Sequence, residues 1–159
     1  MTISGLPRLT FKMRLPIAME KGQIYGMLYL QFERHPQQSF KATSGIAGKQ
    51  YVATQFIKAV GPLPSSAIIA PVSYSVKTTA LTMTVPSHRG VPMYPINPSE
   101  VKVGRTGRGD FGIHEDLNSP GTIGCIALPT EFQWALFQKA MKTISLWGIS
   151  EIPLIVIYS

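Results

Sequence analysis

Residues 9–15, LTFKMRL, alternate apolar and polar positions without a break. Leu9, Phe11, Met13 and Leu15 fall on one side, and Thr10, Lys12 and Arg14 on the other. A period of two marks a strand with one buried face. GMLYLQF (26–32) and SFKATSG (39–45) predict the next two strands, with the turn-prone ERHPQQ between them. After a turn around GPLPSS (61–66), PVSYSVK (71–77) and TALTMTV (79–85) carry β-branched and aromatic residues at strand density. The segment PSHRGVPMYPINP (86–98) is too rich in proline for a central strand and predicts a loop or an edge. IPLIVIY (152–158) is a nearly continuous apolar run and predicts a strand buried on both faces.

One helix is predicted. Thr130 is placed to cap it, and Gln133 three residues on completes a capping box. Phe132, Leu136 and Ala140 recur every four residues with Ala135 and Met141 beside them, which predicts the apolar stripe. Lys139 and Lys142 suit the negative end of the helix dipole, and Gly148 marks the stop. No repeat and no long linker divides the chain. Residues 1–159 therefore read as a single, mainly β domain with one principal helix.

Composition refines this picture. With 45% hydrophobic and 14% charged residues over 159 positions, the chain can bury a core without metal or disulfide staples. The net charge is +7, but the basic residues are spread singly and the aromatics are not interleaved with them. That pattern argues against a nucleic-acid partner and suits an anionic polymer, of which bacterial cell wall is one. The single cysteine, Cys125, excludes an internal disulfide. MTISGLPRLTFKMRLPIAMEKG lacks the continuous apolar segment of a secretory signal or membrane span. His35, His88, His114, Asp116 and Cys125 show no metal-ligand spacing, and no glycine-rich loop joins a strand to a helix. Neither a metal nor a nucleotide cofactor is expected.

The chemistry concentrates in GIHEDLNSPGTIGCIAL (112–128). Cysteine catalysis needs a thiolate, a base to generate it and N–H donors for an oxyanion. Asn118-Ser119-Pro120-Gly121 predicts a reversal that lays the strand ending at His114 beside the one starting at Cys125. Such an arrangement can bring the imidazole within about 3–4 Å of the sulfur. Gly124 lets a substrate approach the backbone closely. A cysteine that simply fills core is the competing reading of the same spacing.

Phe111-Gly112-Ile113-His114, then Thr122-Ile123-Gly124-Cys125-Ile126-Ala127-Leu128 and a capped helix, resembles the L,D-transpeptidase catalytic domain. Upstream, Gly26-Met27-Leu28, Phe40-Lys41-Ala42-Thr43-Ser44-Gly45 and Gly61-Pro62-Leu63-Pro64 are similar to further pieces of that family. They are most like its type VI secretion effector branch. Two positions depart from the pattern: Ile123 stands where the family has a second histidine, and Ala127 where it has an arginine.

The resemblance implies a β-sandwich-like fold and a peptidoglycan-directed enzyme that acts on stem peptides. In it Cys125 is the nucleophile, His114 the base, and the Glu115 carbonyl orients the ring. Gly124 and Cys125 supply the oxyanion amides. Thr122 shapes the turn. Apart from the resemblance, Arg105 and Arg108, just upstream of His114, are candidates to hold a substrate's terminal carboxylate or are solvated loop arginines, and Asp116 assists His114, binds a substrate amine or is simply a turn residue. Such a protein would be made without a leader and delivered to the periplasm or wall by a secretion apparatus or phage particle, with an immunity protein as a further partner. A non-enzymatic structural or wall-binding component of such a particle is the competing function.

Overall fold

The strand that alternation predicts at residues 9–15 is β1 (Arg8–Met13), and its apolar side is buried throughout. In this computed structural model, which describes residues 6–84, 86–116 and 121–159 (without the side chain of Ser87), β2 (Gly26–Gln31) and β3 (Gln38–Gly45) follow. A four-residue helix α1 (Ser66–Ile69) precedes β4 (Tyr74–Lys77) and the two-residue β5 (Leu81–Thr82). Then come β6 (Pro92–Asn97), β7 (Glu100–Val103), β8 (Thr106–Gly109), β9 (Gly112–Glu115) and β10 (Thr122–Leu128). The long helix α2 (Glu131–Leu146) and β11 (Glu151–Tyr158) complete the order.

The main sheet runs β4-β11-β1-β2-β3-β10-β9-β6-β5, and β6 also pairs with β4 through Ser75↔Asn97 and Val76↔Ile96. The sheet therefore closes on itself as a barrel, with only β5 outside the ring. β7 and β8 form a separate hairpin. Inward-facing residues of successive strands, such as Phe11, Leu28, Phe40, Ile113, Ile126 and Leu154, are at most 2% exposed. The mainly β architecture with one principal helix matches the sequence reading.

Four details differ from it. β11 is a strand, but it alternates: Ile152, Leu154 and Val156 are buried while Ile155 and Ile157 are each 43% exposed. It lies between β4 and β1 in the ring, so one face fills the barrel and the other meets solvent. The proline-rich stretch contains β6, bonded on both sides rather than lying in a loop. Ile96 donates its N–H to the carbonyl of Phe111, so Pro95 turns its donorless side away from β9. It does so between the residues paired with β5 (Pro92, Met93) and those paired with β4 (Ile96, Asn97), where no partner needs a donor.

The third difference lies in α2, whose buried positions are Trp134, Phe137, Met141 and Ile144. Phe132 is 74% and Leu136 41% exposed. The bulky rings decide the face: Phe137 meets Phe40 and Tyr94 edge-on at 5.3 and 5.5 Å, and Trp134 meets Tyr94 at 5.8 Å. Thr130 occupies the N-cap without a side-chain bond, and Gln133 instead accepts the N–H of Lys41 from β3 at 2.8 Å. The expected stop at Gly148 has a φ of +86°.

Fourth, β9 and β10 do lie side by side, but they run parallel, with Ile126↔Ile113 and Ala127↔His114 in register. A reversal at Asn118–Pro120 would join antiparallel strands; those residues lie outside the described ones. The two strands are adjacent without forming a hairpin.

Candidate active site

His114 sits on β9 and is 4% exposed. Its neighbours Gly112, Ile113 and Phe111 are also buried, so the imidazole grows from a rigid part of the ring. Its Nδ1 lies 2.8 Å from the backbone carbonyl of Glu115. A carbonyl can only accept, so this contact assigns the proton to Nδ1 and leaves Nε2 as the basic nitrogen. Burial pushes the imidazole pKa down, and the bond to Glu115 works against that. His88 lowers it further, while Asp116 raises it.

Cys125 lies on β10 and is half-buried. The register Ala127↔His114 puts Cys125, two residues before Ala127, on the same sheet face as His114 and diagonal to it. Strand spacing and rise set that diagonal at about 8 Å between Cα atoms. The thiol's hydrogen-bond acceptor is the carbonyl of Asp110 at 3.9 Å rather than the imidazole. Burial raises the thiol pKa, and the N–H of Gly112 and the hydroxyl of Thr122 only partly offset it. At neutral pH the site therefore holds a neutral thiol and a neutral imidazole on one sheet face, not a preformed thiolate–imidazolium pair. The contact of about 3–4 Å expected from sequence is not among the bonds of the thiol.

Gly124 is buried and takes a φ of +119°. Thr122 is 9% exposed, and its Oγ1 accepts the N–H of Cys125 at 3.3 Å. The Cys125 amide expected as an oxyanion donor is thus already held, by a long and weak bond. Ile123 points outward, 56% exposed.

The upstream motifs converge on the cysteine. Ser44, fully buried on β3, donates to the Cys125 carbonyl at 2.7 Å and accepts the Leu63 N–H at 2.8 Å. One hydroxyl thereby ties β10 to the Gly61-Pro62-Leu63-Pro64 turn. Arg108 is 1% exposed and donates to the carbonyls of Gln55, Gly61 and Pro62 at 2.6–2.9 Å. Its guanidinium pins that turn from the other side and lies 5.7 Å from the Phe111 ring centroid. This corrects its expected role: the side chain is buried, and three of its N–H donors are held by backbone carbonyls rather than open to a substrate carboxylate. Arg105 is exposed at the turn between β7 and β8.

Asp116 accepts the Gly121 N–H at 2.9 Å and interacts electrostatically with His114, His88 and Tyr25. Burial raises its carboxyl pKa, while Gly121, His114 and His88 pull it down. The Glu115 side chain is half-exposed, and its contribution to the site is its carbonyl. His88, in the stretch that the sequence predicts as a loop or an edge, lies against the ring of His114 with centroids 5.4 Å apart. No spacing in the chain signals that contact. Among the described residues, no group of three or more His, Cys, Asp or Glu side chains is arranged to hold a metal. Among them, too, no helix is long and apolar enough to cross a membrane. Comparison of the chain with protein-family models, curated proteins and solved structures gives no match in any of the three.

Proposed function

We propose that the chain is a peptidoglycan-directed cysteine enzyme of the L,D-transpeptidase type, cleaving or exchanging the terminal D-alanine of stem peptides. The observation that carries this reading is the shared sheet face of Cys125 and His114, with Nδ1 of His114 anchored on the Glu115 carbonyl and Nε2 left basic. His114 takes the thiol proton as the sulfur attacks the carbonyl of the L-centre diamino acid, forming a carbon–sulfur bond and an oxyanion. The oxyanion collapses, the peptide C–N bond breaks, and His114 returns the proton to the departing D-alanine amine. The thioester that remains is released by water, giving a carboxypeptidase, or by an amine, giving a transpeptidase.

Because thiol and imidazole are both neutral at rest, proton transfer accompanies attack rather than preceding it. The amides of Gly124 and Cys125 serve the oxyanion once it displaces the weak Thr122 contact. Asp116 is the carboxylate available to a substrate amine. A protein of this activity works in the periplasm or wall after delivery by a secretion apparatus or phage particle, with an immunity protein as its counterpart in the producer.

Incubation with tetrapeptide-stem muropeptides should release D-alanine, read as a mass loss, and Cys125→Ala should abolish it. A carbapenem should add its mass to the wild type and not to that variant. The thiol's bond to Asp110 rather than to the imidazole favours a second reading, a wall-binding module without turnover. Muropeptide binding with neither D-alanine loss nor a carbapenem adduct would select it.

A further inference from the structure

His88 ends a short 3-10 turn (Pro86–His88) just before β6, outside the strands that carry His114 and Cys125. Its ring packs against that of His114 at 5.4 Å between centroids, with the planes at 61°. His88 is half-buried where His114 is buried, so of the two rings His88 is the one nearer solvent. We propose that His88 is a positioning residue of the site: its ring, packed on that of His114, holds the imidazole in place and opposes a positive charge on it.

The physical case rests on like charges at short range. Two imidazolium rings this close repel, so the pair resists taking up a second proton. Three further groups bear on the imidazole. On β9, the Glu115 carbonyl fixes the Nδ1 proton of His114. After β9, the Asp116 carboxylate pulls the other way and raises the His114 pKa. On β10, Cys125 is a neutral thiol. Burial is the main cause of the low His114 pKa, and His88 lowers it further. The catalytic consequence rests on the reading of His114 as general base; the electrostatic coupling does not.

The test follows the imidazole C–H resonances of the folded chain by NMR across a pH titration, in the wild type, His88→Gln and His88→Phe. Gln removes the ring and its charge, while Phe keeps a ring for packing without a charge. Both substitutions should move the His114 midpoint upward, Phe with the smaller loss of ring order. An unchanged or lowered midpoint in folded His88→Phe would overturn the proposal, because that ring keeps the imidazole covered as a merely structural His88 does, whereas the Gln variant also raises the midpoint by letting water in. A shift in the midpoint alongside inactivity toward muropeptides in the wild type would reject the enzymatic reading while upholding this one.

Discussion

At a φ of +119°, Gly124 occupies backbone that a side chain would strain, and a Cβ there would stand 2.8 Å from Phe111 Cε1 and 3.1 Å from Arg108 Nη2. Neither neighbour can give way, because Phe111 is 3% exposed and Arg108 is held by three carbonyls. Gly124→Ala should therefore destabilise the fold by about 2 kcal/mol or more, read from urea unfolding, with strain and overpacking adding. One residue on, the thiol's raised pKa makes a kinetic prediction. Alkylation of Cys125 by iodoacetamide should be slow at pH 6–7 and rise through a limb above the ordinary thiol value of 9.0. Fast alkylation at pH 6 would mean a preformed ion pair and contradict the site described above. The buried neutral imidazole has the opposite acid–base consequence: the unfolded chain binds its proton more readily than the folded one. Stability should fall as pH drops below the ordinary histidine value of 6.5 and not above it, as thermal melts of Cys125→Ala, which removes the thiol's own titration, can show.

At the scale of elements, α2 offers two phenylalanines of opposite consequence. Phe137, fully buried against Phe40 and Tyr94, should cost about 3–5 kcal/mol when changed to alanine. Phe132→Ala, at a site 74% exposed, should change stability by less than about 0.5 kcal/mol. Denaturant midpoints of the two variants decide which stripe faces the barrel. The helix itself was legible from its periodicity, but its face was not. Two apolar rows run along α2, and only the rings waiting on β3 and β6 choose between them. β1, β2 and β3 were legible for a simpler reason, since each shows its period directly. β6 was hidden by prolines whose missing donors matter only once the neighbours are known. His114 and Cys125 stood out as the motif's histidine and the chain's single cysteine. Arg108 was placed in the binding site because sequence cannot tell a cation facing a ligand from one facing carbonyls, and His88 was missed because ring contacts across loops leave no spacing.

The whole molecule is organised by the closure of β4 onto β6, which leaves few strand edges unpaired. β11 is central to that closure, pairing in parallel with β1 from Leu9↔Leu154 to Met13↔Tyr158 and antiparallel with β4. Ending the chain before Glu151 should therefore open the ring, and near-UV circular dichroism should show loss of fixed aromatic packing although most strands remain encoded. The same placement orders events in time. β1 is made well before β11, yet the two must lie together before the ring can shut. Until β11 emerges, β1 and β4 each carry a bare edge, exposed to pairing with other unfinished copies. Whatever shields those edges during translation, whether a chaperone or simply the speed of elongation, should influence the yield of folded protein more strongly than any single residue of the core.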